Sequence, residues 1–135
     1  MIVEEKKIAA INRIKELILL QNELKQRFSE NTYNVFVFGS YPTLRYSPGQ
    51  SDVDIAVYAD SLEQYKEISL VIEDFFNERD IPVDLFFIDI NTPAPVFLAP
   101  LHAQIQFTDY FPDELKRFES ECATELDKIK RSIAV

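Results

Sequence analysis

The sequence of 135 residues is poor in cysteine and glycine, with one and two copies, and it has no tryptophan. A single cysteine, Cys122, can form neither an internal disulfide nor a zinc site, so nothing favours an oxidising compartment. No apolar run approaches the roughly 18 residues of a membrane span, and the first residues lack the basic-then-apolar order of a signal peptide. We therefore expect a cytoplasmic protein with no membrane contact.

Basic residues are also scarce, since the 14 Lys and Arg are outnumbered by 23 Asp and Glu, which gives a net charge of -9. This charge repels a phosphate backbone, and the basic residues do not cluster in the sequence, so both features argue against a nucleic-acid partner. A nucleotide bound through cations remains compatible with acidity. The hydrophobic content of 47% is that of a folded chain, and the length suits a single domain spanning residues 1–135.

The spacing of apolar residues predicts three long helices. The first covers residues 3–29, where spacings of three, four and seven define an apolar stripe of Ile11, Ile14, Ile18, Leu17, Leu24 and Phe28. The second covers residues 62–79, behind a capping box formed by Ser61 and Gln64. The third begins near Pro112 and carries its own apolar stripe of Leu115, Phe118, Cys122, Leu126 and Ile129.

Short apolar runs between these helices predict strands at residues 35–38, 52–58 and 83–90, with a short edge strand at 105–108. Residues 41–51 read as a short helical turn and a loop, and Thr92 with Pro93 indicates a short or broken helix. The order of elements predicts an α/β or α+β fold, in which long N-terminal and C-terminal helices flank a small mixed sheet.

One constellation of residues carries chemistry. Gly39 and Ser40 end the first strand, Asp52 and Asp54 begin the second, and Asp84 lies early in the third. Because side chains alternate along a strand, Asp52 and Asp54 share a face with their Cα atoms about 7 Å apart. Carboxylates from two strands can thus form a site for Mg²⁺ or Mn²⁺, while the glycine turn exposes backbone N–H groups to a phosphate.

Structural interpretations of the same residues are also open. Asp52 can be a simple loop-end residue, but Asp54 and Asp84 sit inside apolar strand patterns, where an unpaired buried charge is costly. Arg45 can contact a triphosphate or be a solvated loop residue. His102 has no second ligand or nucleophile near it in the sequence and is interpreted as a structural or surface residue. Cys122 lies in the apolar stripe of the closing helix and is interpreted as a core residue rather than a reactive one. Asp89 is predicted to point to the face opposite Asp84, away from any metal.

This array of Gly-Ser, Asp-x-Asp and a third Asp resembles the motif of the DNA polymerase β-like nucleotidyltransferase superfamily. The short chain further resembles its MNT branch, the minimal nucleotidyltransferases that act as antitoxins beside HEPN-domain ribonuclease toxins. The resemblance implies metal binding and catalysis by Asp52, Asp54 and Asp84, and nucleotide binding by Gly39 and Ser40. It also implies that ATP is the substrate and that AMP is transferred to a hydroxyl group of the HEPN toxin, which we expect to be that of a tyrosine. A hetero-oligomer with the toxin is implied as well.

The loop between Ser40 and Asp52 departs from the family, because its eleven residues are one more than usual and include aromatic residues and prolines. Two other functions remain open at this stage. The chain can neutralise its partner by occlusion without catalysis, or it can modify a small hydroxylated compound such as an aminoglycoside. The second is less favoured, since the chain is short for an added substrate domain.

Overall fold

Three helices and four strands make up the described part of the chain, which in this computed structural model comprises residues 2–89, 91–92, 103 and 105–134. In chain order they are α1 (Val3–Arg27), β1 (Tyr33–Phe38), β2 (Val53–Ala59), α2 (Leu62–Asn77), β3 (Val83–Phe87), β4 (Ile105–Gln106) and α3 (Asp113–Ala134). The predictions for His102 and for a helix from Thr92 and Pro93 fall wholly or partly outside the described residues.

The four strands form one mixed sheet in the order β3-β2-β1-β4. β1 pairs antiparallel with both β2 and β4, whereas β2 and β3 run parallel. The parallel pair requires a crossover connection, which α2 provides. The predicted mixed sheet with flanking helices is confirmed, including the short edge strand.

Alternation of side chains along the strands gives the sheet two apolar faces. Val35, Val37 and Ile55 belong to a large core with residues of α1 and α2. Phe36 and Ala56 face the other way and form a smaller cluster with Ile88 and Leu115 of α3. The sheet is therefore covered by two helices on one face and by α3 on the other.

The buried face of α1 differs from the predicted one. Leu17, Leu20 and Leu24 are essentially inaccessible, whereas the predicted stripe residues Ile11, Ile14 and Ile18 are 52%, 38% and 48% exposed. The prediction was wrong for these three isoleucines because α1 is apolar on two sides, and periodicity alone does not say which side meets the sheet. α1 thus carries an exposed apolar stripe as well as a buried one.

Polar contacts also connect α1 to the rest of the fold. The Arg79 guanidinium donates 2.8 Å hydrogen bonds to Glu16 Oε2 on α1 and to the Phe75 carbonyl on α2. Gln21 Nε2 donates to the carbonyl of Phe107, just beyond β4. These bonds orient α1 across the face of the sheet on which its leucines are buried.

Several boundaries differ from their predictions for local reasons. The Ser61 hydroxyl accepts from Gln64 N–H at 3.1 Å, which confirms the predicted cap of α2. β3 ends at Phe87 rather than at residue 90, because the Asp89 carboxylate accepts from Asn91 N–H and begins a turn. Asp89 therefore lies beyond the strand, and the predicted strand alternation does not apply to it.

Burial and hydrogen bonding bear on two further expectations. Residues 41–51 form hydrogen-bonded turns and loop, in agreement with the predicted short helical turn and loop. On α3, Leu115 is buried, but Cys122 is only half-buried and Ile129 is 58% exposed, so the apolar stripe is buried at the start of the helix and exposed toward its end. Within the described residues, no helix is long and apolar enough to cross a membrane.

The assignment of the buried face of α1 can be tested by truncation. We expect Leu20→Ala to lower the free energy of unfolding by about 2–5 kcal/mol, because it removes a fully buried side chain and leaves a cavity. Ile18→Ala, the matched control on the exposed side, should cost less than about 1 kcal/mol. Urea unfolding followed by circular dichroism measures both, and equal losses would contradict the assignment.

Candidate active site

A tight turn follows β1 at the edge of the sheet. Gly39 adopts a positive φ of 76°, a conformation that L side chains rarely adopt. The carbonyl of Ser40 then accepts two hydrogen bonds from Thr43, one from its N–H at 2.9 Å and one from its hydroxyl at 2.7 Å. The turn is closed on itself and leaves Gly39 exposed to solvent.

The carboxylates of Asp54 and Asp84 lie side by side across β2 and β3. The two residues are direct partners in the parallel register, so their side chains project from the same face of the sheet. The register is fixed at both ends, by a bond from Val53 N–H to the Pro82 carbonyl at 2.9 Å and one from Ile88 N–H to the Val57 carbonyl at 2.8 Å. Asp54 is half-buried and Asp84 is exposed.

Gly39 and Asp54 touch across the antiparallel β1–β2 pair, next to the Phe38–Asp54 partners. A Cβ atom placed on Gly39 would overlap Asp54 Oδ2 and lie 3.2 Å from its Cγ. The absence of a side chain at position 39 thus leaves room for the Asp54 carboxylate as well as permitting the turn. Position 39 therefore requires glycine for a structural reason, in addition to its predicted role in phosphate binding.

Burial and neighbouring negative charge both act on Asp54. Partial burial raises the pKa of its carboxyl above the usual value, and the negative charges of Asp84 and then Asp52 raise it further. The negative charges of Asp52 and Asp84 thus both act on Asp54. Among the described residues no ion pair involves any of these three carboxylates, so their mutual repulsion is not offset by a basic side chain.

Asp52 lies just before β2 and is exposed. It acts electrostatically on Tyr46, which was not among the predicted site residues. Burial raises the pKa of Tyr46, the nearby Arg13 lowers it, and the negative charge of Asp52 raises it. Tyr46 thus stands between α1 and the carboxylate site. Arg13 was not among the predicted site residues, although its position four residues before Leu17 places a cation on a leucine-lined face of the predicted helix.

Arg45 is exposed in the loop between Ser40 and Asp52, as the sequence suggested. Its backbone N–H donates to the Thr43 hydroxyl at 3.1 Å. The side chain borders a cavity of about 340 Å³, which is lined by Lys6, Leu44, Arg45, Tyr46, Ser47, Pro48 and Gln50. The loop and the start of α1 therefore bring two cations to one depression, and the predicted contact of Arg45 with nucleotide stays a prediction.

The donor set suits Mg²⁺ or Mn²⁺ bound together with a substrate. Among the described residues, no group of three or more acidic, histidine or cysteine side chains is arranged to hold a metal ion by itself, so the predicted trio of Asp52, Asp54 and Asp84 does not form a complete all-protein site. Mg²⁺ is usually held by one or two protein carboxylates together with substrate phosphates rather than by an all-protein cage. The in-register oxygens of Asp54 and Asp84 meet that requirement, with Asp52 close by.

The chain belongs to the nucleotidyltransferase domain family, whose model matches residues 17–123. The match begins in α1 and ends in α3, and it includes all five residues of the predicted motif. The family identification made from the sequence is confirmed. Among curated proteins, none is significantly similar to this chain in sequence.

Solved structures show the same fold at low identity. A mutant of the toxin–antitoxin complex MntA–HpeT is 16% identical, with a TM-score of 0.52 over 87% of this chain and 89% of the other. A tri-AMPylated HEPN toxin of Shewanella oneidensis in complex with its MNT antitoxin gives 18% identity and a TM-score of 0.49, covering 84% and 89% of the two chains. The first of these likenesses establishes a shared fold.

The contact between Gly39 and Asp54 leads to a matched pair of variants. Gly39→Ala and Gly49→Ala both place alanine at a positive φ, 76° and 80°, and each should cost about 1–2 kcal/mol of stability. Only the first displaces Asp54, because position 49 has nothing within 4 Å of a new Cβ. We expect Gly39→Ala to lose nucleotidyl transfer while Gly49→Ala retains it, and equal activity in transfer assays would refute the contact.

The charge environment of Asp54 predicts a pH-dependent stability in the metal-free protein. With a raised pKa, the folded state binds a proton more tightly than the unfolded state, so the free energy of unfolding falls as pH rises from the unfolded value through the folded one. Asp54→Asn should therefore stabilise the protein at pH 7, by up to about 1 kcal/mol for a partly exposed group, and have little effect below about pH 3.9.

Urea unfolding in chelator at pH 3.5 and pH 7 measures this difference. Asp74→Asn, at an exposed position on α2, serves as the control. Destabilisation by Asp54→Asn at pH 7 would mean that the carboxylate is a structural partner rather than a repelled charge.

Proposed function

We propose that this protein transfers AMP from ATP to a tyrosine hydroxyl of a HEPN-domain toxin and thereby acts as an antitoxin. The observation that carries the chemistry is the in-register pair of Asp54 and Asp84, beside the exposed Gly39 turn. Membership of the nucleotidyltransferase family supports the reaction class. The acceptor rests on the resemblance of the motif to MNT antitoxins and on the fold shared with the MntA–HpeT complex.

Each residue of the motif has a role in this proposal. Asp54 and Asp84, with Asp52, would hold divalent cations, and the raised pKa of the Asp54 carboxyl is consistent with a site that favours added positive charge. The Gly39 and Ser40 turn offers backbone N–H groups and a hydroxyl to the triphosphate. Bound Mg²⁺ or Mn²⁺ supplies charge compensation for the phosphates and increases the acidity of the acceptor hydroxyl.

The chain's own groups then orient the reactants. Asp84 is the most exposed part of the paired site, so it can receive the proton of the incoming hydroxyl as the oxygen attacks the α-phosphorus. The bond from the α-phosphorus to the bridging oxygen breaks, and pyrophosphate leaves. In-line displacement of this kind depends mainly on positioning and charge stabilisation, which a rigid pair of strands provides.

Neutralisation by occlusion is the second candidate, and one observation favours it. Five large apolar side chains are between 38% and 59% exposed on α1, namely Ile8, Ile11, Ile14, Ile18 and Leu19. Contiguous exposed apolar surface is typical of protein–protein contacts. A partner bound there can be inhibited at equal stoichiometry without any nucleotide.

Stoichiometry separates the two functions. With MgATP, substoichiometric protein should inactivate an excess of the toxin and add the mass of whole AMP groups, because an enzyme turns over. We expect Asp54→Asn to reduce transfer by at least about a hundredfold, since it removes a charge that holds the cations. Intact-mass spectrometry of the toxin and an RNase assay measure both effects.

The Asp74→Asn variant and a chelator complete this experiment. Asp74→Asn should modify the toxin like the wild type, and excess chelator should stop the modification. Unmodified toxin that is inhibited only at equal stoichiometry, and equally by Asp54→Asn, would refute catalysis in favour of occlusion.

A further inference from the structure

Arg13 connects α1 to the loop between Ser40 and Asp52, two of the predicted site residues. Its guanidinium donates hydrogen bonds to two backbone carbonyls of that loop, from Nε to Tyr41 at 2.6 Å and from Nη2 to Thr43 at 2.7 Å. These contacts bridge 28 and 30 residues of sequence. Arg13 therefore contacts a loop that is distant in the sequence, rather than forming an ion pair within its own helix.

Two tyrosines complete the surroundings of Arg13. The guanidinium carbon lies 4.8 Å from the ring centroid of Tyr46 and 5.9 Å from that of Tyr41. The two rings meet edge to face at 5.1 Å, and Tyr41 packs perpendicular to Phe76 of α2 at 5.8 Å. Because Tyr41 is only 1% exposed, the loop is anchored in the main core on one side and held by Arg13 on the other.

Both ends of this loop carry predicted site residues. At its start, Thr43 donates to the Ser40 carbonyl with its N–H and its hydroxyl, so the same residue that Arg13 binds also closes the Gly39–Ser40 turn. Directly after Tyr46, the Ser47 carbonyl accepts from Ser51 N–H at 2.9 Å and the Ser47 N–H donates to the Ser51 hydroxyl at 3.3 Å, which closes a turn just before Asp52. Arg13 is thus connected to Ser40 through Thr43, and it packs on Tyr46 next to the turn that leads into Asp52.

The geometry requires arginine in particular. A planar guanidinium can donate to two carbonyls with separate nitrogens while its face rests on an aromatic ring, whereas the ammonium of lysine cannot do both. Both of the described hydrogen bonds of Arg13 go to the loop backbone. The contacts therefore specify the path of the loop independently of most of its side chains.

We propose that Arg13 is a positioning residue for nucleotide binding, which fixes the loop of residues 40–52 so that Ser40 and Asp52 flank the Asp54–Asp84 pair. This inference rests on the proposed function and assigns to α1 a role in that site. Arg13 acts through Tyr41, Thr43 and Tyr46, and not by direct contact with the reacting atoms.

Arg13→Lys tests the proposal, with Arg79→Lys as the matched control. Arg79 makes the same kinds of contact, with a carbonyl, a carboxylate and the Phe75 ring at 3.7 Å, but these bind α1 and α2 rather than the loop. We expect Arg13→Lys to raise the KM for MgATP by about tenfold or more, with a smaller change in kcat, because misplaced binding groups weaken substrate orientation. Arg79→Lys should leave the KM within about twofold of the wild type.

Hydrogen exchange of the nucleotide-free proteins provides a second measurement that does not depend on activity. Arg13→Lys should increase exchange at the amides of residues 40–52 more than elsewhere, whereas Arg79→Lys should not. An unchanged KM together with unchanged exchange in the loop would overturn the proposal, as would equal effects of both variants. If the wild type transfers no nucleotide, the proposed function fails, and loop exchange then decides separately whether Arg13 orders the loop.

Discussion

The pairing of Asp54 with Asp84 across two parallel strands is the constraint on which the arrangement of this molecule depends. Two carboxylates held in register repel each other, and partial burial adds to the cost of the charge on Asp54. Parallel strands cannot be joined by a tight turn, so the pair also requires α2 as a crossover and a core in which to bury it. The fold therefore keeps an electrostatically unfavourable pair in place through the burial of α1, α2 and the sheet.

Gly39 and the loop from Ser40 to Asp52 are arranged so that the Asp54–Asp84 pair stays accessible. Gly39 has no side chain where one would overlap the Asp54 carboxylate, and the turn behind it opens toward solvent. The loop from Ser40 to Asp52 begins and ends beside the Asp54 carboxylate. Packing of its aromatic residues against the core and against Arg13 fixes the conformation of the loop between these ends. Tyr41 and Tyr46, which depart from the usual composition of the family loop, both pack against Arg13 of α1, which also binds the Thr43 carbonyl.

Local patterns predicted most of the fold and part of the site. Period-two alternation placed Asp54 on one face of its strand, and a capping box located the start of α2, because both depend on neighbours in sequence. The choice between the two apolar sides of α1 depends on the sheet, so the isoleucine stripe was assigned to the wrong side. The Arg13 contacts, 28 and 30 residues apart, were not expected either, although a cation on a leucine-lined helix face was a visible signal.

The acidity of the chain bears on how such a site binds a triphosphate. At a net charge of -9, the protein's long-range field opposes an anionic nucleotide, and the carboxylates make the local field stronger still. Lys6 and Arg45 border the loop cavity, but Arg13 is directed at backbone carbonyls. In the proposed function, cations shared between carboxylates and phosphates would reverse the sign of the local interaction, so that metal and nucleotide binding would depend on each other. The negative charge of the chain would then select the metal complex of the nucleotide over the free nucleotide, before any contact with the base.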